Sequence, residues 1–110
     1  MLYNPLVSTD RLDKLLKMLE RDPNDAFLLY GVALEHKKLG NADQAIEFLD
    51  RTIAADPGYC YAYFQKGQVL ESRGDSPGAR ETYEAGVAAA RQKGDAHAQG
   101  EIEGALSMLE

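Results

Sequence analysis

Ala26-Phe-Leu-Leu-Tyr30-Gly-Val-Ala-Leu-Glu35-His-Lys-Lys-Leu-Gly40-Asn-Ala-Asp-Gln-Ala45-Ile-Glu-Phe-Leu-Asp50-Arg-Thr-Ile-Ala-Ala55-Asp-Pro57 holds two helical patterns that meet at a Gly-Asn turn and close on a proline. Displaced by about 34 residues, the same unit recurs. Gly40 falls on Gly74, Ala45 on Ala79, Glu47 on Glu81, and Ala54-Ala55 on Ala88-Ala89. Phe27 and Tyr30 fall on Tyr61 and Phe64, while Leu49 and Ile53 fall on Tyr83 and Val87. A fixed period with matched apolar slots marks a stacked repeat, whose units bury their apolar faces on one another.

Outward from this unit, the flanks read as more of the same. Leu12, Leu15, Leu16 and Leu19 form a stripe at i, i+3, i+4, i+7, so a helix is expected from about Thr9 to Arg21, with Ser8, Thr9 and Asp10 as cap candidates. Leu15, Leu19 and Pro23 align with Leu49, Ile53 and Pro57, which makes this helix the second half of a repeat. Residues 1–8 read as an extended arm, since Pro5 disfavours helix at Asn4. Further helices are expected at about 25–39, 42–55, 59–73, 77–92 and 96–109. Gly40 suits the left-handed residue that ends a helix, and Asn41 with Gln44 resembles a capping box. Ala45 is small enough for a close helix crossing, and Gly78 and Gly86 are expected to mark close contacts. Tyr59 and Tyr63 should share one helix face, and Tyr61 and Phe64 another. The last segment carries one narrow apolar stripe, Ala98, Ile102, Ala105, Leu106 and Leu109, as a terminal helix must to stop an array from exposing its core.

The slot pattern large-x2-aliphatic-small-x2-large, Ala-x3-large, Pro resembles the tetratricopeptide repeat. Leu29, Val32, Ala33, His36, Ala45, Leu49 and Pro57 fill it in the first unit. Tyr63, Lys66, Gly67, Leu70, Ala79 and Tyr83 fill it in the second, where Arg91 replaces the closing proline. Lys66 stands in an aliphatic slot and His36 in an aromatic one. The resemblance implies an all-α, right-handed α-α solenoid of six antiparallel helices in one domain, 1–110. The divisions expected are the arm at 1–8, a half-repeat helix at 9–23, repeats at 26–59 and 60–93, and a capping helix at 95–110.

It also implies a function class: a protein-binding scaffold, with first helices lining a concave surface that holds a peptide. The inner-face slots fall on Phe27, Tyr30, Gly31, Leu34 and Lys38, then on Tyr61, Phe64, Gln65, Gln68 and Ser72. The candidate groove is therefore Phe27, Tyr30, Leu34, Lys38, Tyr61, Phe64, Gln65 and Gln68. Aromatic rings offer large contact area, and glutamines can bond a peptide backbone. The same rings could instead pack helix on helix. Chaperone-docking members of the family clamp a C-terminal carboxylate with Lys and Asn; here those slots hold Tyr30, Leu34 and Gln65, and then Asp95 and Gln99, so that clamp is absent. Lys37, Lys38 and Arg73 could form a basic corner, though cations at helix C-termini need no ligand.

Composition sets the outer bounds. The chain has 110 residues, 45% hydrophobic and 27% charged, which describes one globular domain. A formal net charge of −6 argues against nucleic acid or an anionic membrane as partner. One cysteine allows no internal disulfide. No apolar run is long enough for a membrane span, so no membrane insertion is expected and a cytoplasmic setting is the default. His36, His97 and Cys60 lack ligand-like spacing, the paired acids read as solvated faces, and the glycines form no phosphate loop. No catalytic residue, metal or cofactor is expected. The expected partner is a protein or peptide, with the chain a monomer or weak homodimer. A rival reading is a self-assembling module, motivated by Leu12, Leu16 and Met18, which lack a partner helix unless an arm bearing Leu2, Tyr3, Leu6 and Val7 covers them.

Overall fold

The computed structural model describes residues 8–109, all of whose regular structure is helical. The six helices are α1 (Asp10–Arg21), α2 (Ala26–Lys38), α3 (Ala42–Ala55), α4 (Cys60–Ser72), α5 (Ser76–Lys93) and α6 (Ala96–Ser107). The last is two residues shorter than the apolar stripe suggested, with Met108 as its cap. The expected arm falls almost wholly in residues 1–7, outside the described residues.

Local chemistry explains the punctuation. Gly40, Gly74 and Gly94 have φ near +80° (79°, 81° and 77°), the left-handed conformation that side chains disfavour. At each, the next backbone N–H turns back onto the helix: Asn41 to His36, Asp75 to Leu70 and Asp95 to Ala90, each at 2.9 Å. This closure satisfies carbonyls that a helix end otherwise leaves unpaired. At the N-termini, the carboxylates of Asp25, Asp75 and Asp95 accept the N–H groups of Leu28, Gly78 and Ala98. Asn41 departs from the expected capping box. Its amide lies 3.2 Å from His36 Nδ1 and makes no cap bond, because the chain reversal at Gly40 brings the two side chains together.

The helices pair in chain order, and α6 also touches α4. Two layers result, with α2, α4 and α6 in one and α1, α3 and α5 in the other. The shortest dimension is 19 Å, as two helix layers of about 10 Å require. The position of each helix accounts for its patterning. α1 packs on one side and is sharply amphipathic, whereas α2, gripped between α1 and α3, is not.

The core divides into two clusters. Leu12, Leu15, Leu19, Leu28, Leu29, Val32, Ala33, Phe48, Leu49 and Ala62 form the first. Cys60, Ala79, Tyr83, Val87, Ala90, Ala98 and Ile102 form the second, with α4 contributing to both. Leu12, which the self-assembly reading left without a partner helix, is buried in the first cluster, whereas Leu16 (37% exposed) and Met18 (54%) face outward. Ala45 and Ala79 sit at closed crossings. Gly86 permits a close approach too, since a Cβ there would lie 2.7 Å from Tyr63 Cβ. Gly78 does not mark a crossing: what crowds it is the carboxylate of Asp75, its own helix cap.

Candidate functional site

The α2–α4–α6 face is held together by side chains that cross between neighbouring helices. Tyr30 on α2 packs against Tyr59, which caps α4, with ring centroids 4.8 Å apart. Lys37 Nζ donates to Gln65 Oε1 at 2.6 Å and to Gln68 Oε1 at 2.8 Å. A polar bridge of Lys37, Gln65 and Gln68 therefore spans α2 and α4. Burial pushes the Tyr30 phenol above its ordinary range, the nearby Gln65 amide opposing, and pushes the Lys37 ammonium below its own.

At the next crossing, Tyr61 donates to Glu101 of α6 at 3.4 Å and meets Phe64 edge to face at 6.4 Å. Phe64 in turn lies 6.3 Å from the Tyr83 ring. Tyr61 and Phe64 thus keep one side against the second core cluster and show the other to solvent. Phe27 is far more open, at 68% exposure, and Leu34 is half-buried.

Of the eight residues expected in the groove, seven lie along this face. Lys38 turns the other way: it is 71% exposed and reaches Glu35, which also pairs with Arg11 of α1. Lys37, not Lys38, is the lysine that faces α4 here. Leu34 is followed on the same face by positions three and four residues on, and only the structure picks the first. Lys37, Lys38 and Arg73, read chiefly as helix-end cations, each bond a different group, Arg73 taking Asp43 at 2.7 Å. Tyr59 and Tyr63 part company as well. Tyr59 joins Tyr30, whereas Tyr63 donates to Pro57 O at 2.8 Å and crowds Gly86.

The remaining candidates have structural surroundings. His36 stacks on Phe48 at 5.7 Å, and the buried Cys60 thiol points at the Gly58 carbonyl, 3.3 Å away. Among the described residues, no three His, Cys, Asp or Glu side chains gather as metal ligands, and no helix is long and apolar enough to cross a membrane.

Comparison with known proteins agrees with this architecture. The tetratricopeptide repeat family model matches residues 10–59 and again 33–94. The chain is 33% identical over 91 residues to the TPR repeat-containing protein PA0015 of Pseudomonas aeruginosa, spanning 83% of this chain and 87% of that one. The solution structure of a tetratricopeptide repeat domain protein from Salinibacter ruber is similar with a TM-score of 0.72 and 31% identity, over 76% of this chain and 85% of that chain. PcrH, in complex with the chaperone binding region of PopD, shares the fold (TM-score 0.81, 19% identity, 87% of this chain and 73% of that chain). The chain belongs to the tetratricopeptide repeat family, a class of helical repeat whose general role is protein interaction.

Proposed function

We propose that this chain is a non-catalytic adaptor that holds a segment of a partner protein along Phe27, Tyr30, Leu34, Tyr61, Phe64, Gln65 and Gln68. The observation that carries the reading is the half-open aromatic row. Its rings stay partly in water beside amide groups already bridging α2 and α4, so a bound chain would cover apolar surface on a prepared polar floor. The complex of PcrH with a region of PopD offers a precedent on the same fold. An aromatic Phe27 kept 68% exposed contributes little to packing and much to capture.

Phe27→Ala with Leu34→Ala tests this, since neither residue is fully buried. Capture of partner from native extract should fall at least tenfold while the melting temperature changes little. Undiminished capture, or a double variant that unfolds, overturns the reading. A second reading, self-association, is favoured by Leu16 and Met18 on the outer face of α1. Sedimentation across a concentration series decides it: a monomer at the highest concentration excludes it.

A further inference from the structure

We infer that the segment held in the groove carries an internal aspartate or glutamate whose side chain seats on Lys37. This rests on the groove reading above and adds the chemistry of the partner to it.

Among the described residues, only two lysines or arginines are partly buried, Lys37 and Lys66. Lys66 has a counter-ion, Asp50, at 2.7 Å. The exposed Arg11, Lys38 and Arg73 also have carboxylate partners. Lys37 has none within ion-pairing distance among the described residues and is met only by two neutral amide oxygens. An ammonium taken partly out of water without an opposite charge is held at a cost, and its lowered pKa is the sign of that cost. Two of its three N–H groups are committed to glutamines, leaving one for a ligand. Those bonds also fix the ammonium in place, so a carboxylate meets a preorganised donor.

The surroundings favour a side chain over a chain end. Phe27, Tyr30 and Leu34 precede Lys37 along α2. Beyond it the surface continues as a cleft of about 290 Å³ lined by Lys37, Gly40, Ala42, Gln68, Val69 and Ser72. A segment lying on the aromatic row can thus run past Lys37, which places the carboxylate inside the segment. This is not the carboxylate clamp of chaperone-docking relatives, whose slots hold Tyr30, Leu34 and Gln65 here.

Selection from a random twelve-residue peptide library fused at its C-terminus to the display protein, so that no terminal carboxylate is free, tests the inference. Wild-type protein should enrich peptides with one acidic residue among apolar ones, and Lys37→Glu should shift that position to Lys or Arg. For the best synthetic peptide, Asp→Asn (or Glu→Gln) should weaken binding to wild type about tenfold or more and to Lys37→Met far less. Lys37→Met should remain folded with an unchanged or higher melting temperature. Enrichment that Tyr30→Ala abolishes but that shows no acidic preference overturns the Lys37 inference and leaves the groove reading standing. An equal Asn penalty on wild type and Lys37→Met overturns it as well. No enrichment, or enrichment indifferent to Tyr30→Ala, overturns the groove reading and this inference with it.

Discussion

The helix pairs α2–α3 and α4–α5 form two units that solve one packing problem with different parts. Where the first sets Ala33 against a helix bearing Leu49, the second sets Gly67 against Tyr83, and both Leu49 and Tyr83 are fully buried. The larger ring is admitted by removing a methyl group from its neighbour: a Cβ on Gly67 would overlap the Tyr83 ring. The aliphatic slot differs as well. Val32 is buried, but Lys66 reaches out to Asp50 across a cleft of about 440 Å³ lined also by Ile53, Tyr63 and Leu70. Repeat slots therefore fix total volume and period, and single identities matter only in combination.

The largest effect expected from breaking this comparison is at the glycine. Gly67→Ala should cost about 3 kcal/mol in urea unfolding, since the core cannot shift the ring cheaply. Ala33→Gly, at the equivalent position, should cost only about 1 kcal/mol. Adding Tyr83→Leu to Gly67→Ala rebuilds the first unit's pairing, and should recover about 2 kcal/mol relative to the sum of the single changes. Simple addition would show that the two positions are not coupled.

The next effect belongs to the Tyr83 hydroxyl, which the first unit's Leu49 lacks and which donates to Glu71. Tyr83→Phe should cost about 1 kcal/mol. Burial first, then the Glu71 bond and charge, raise the Tyr83 pKa above 10.0. From pH about 10 upward the unfolded chain releases the phenolic proton while the folded chain retains it, so stability should fall as pH rises. Tyr83→Phe should flatten that slope in denaturant titrations between pH 9 and 11.

A smaller contrast separates two equivalent helix starts. Asp75→Ala removes a cap bond and should cost about 1 kcal/mol, whereas Asn41→Ala should cost less than about 0.5 kcal/mol. The smallest change is expected at Lys66→Met, which restores the first unit's apolar slot. Exchanging a partly buried ion pair for packing should leave the melting temperature level or slightly raised.

The helices were legible because period, apolar slots and terminators all pointed the same way at Gly40, Gly74 and Gly94. Asn41 was misread because a cap candidate has competing local partners, and His36 lies within its reach. The face shared by α2 and α4 was legible down to its rings but not to its charge. Choosing between Lys37 and Lys38 depends on where Glu35, Gln65 and Gln68 come to lie, and those contacts cross from one helix to another. Lys66 was visible as a departure, while its answer, Asp50, carries no signal along the chain.

Cys60 opens α4, the helix that both core clusters share, and its thiol is shut from solvent with its pKa raised chiefly by burial. An aromatic disulfide reagent can react there only during moments when that turn comes apart. The rate of thiol labelling is thus a clock for the seam between the halves. Labelling that needs the full unfolding free energy would mean the array melts as one body; faster labelling would mean the halves separate first, as stacked repeats that each contact only the adjoining repeat permit.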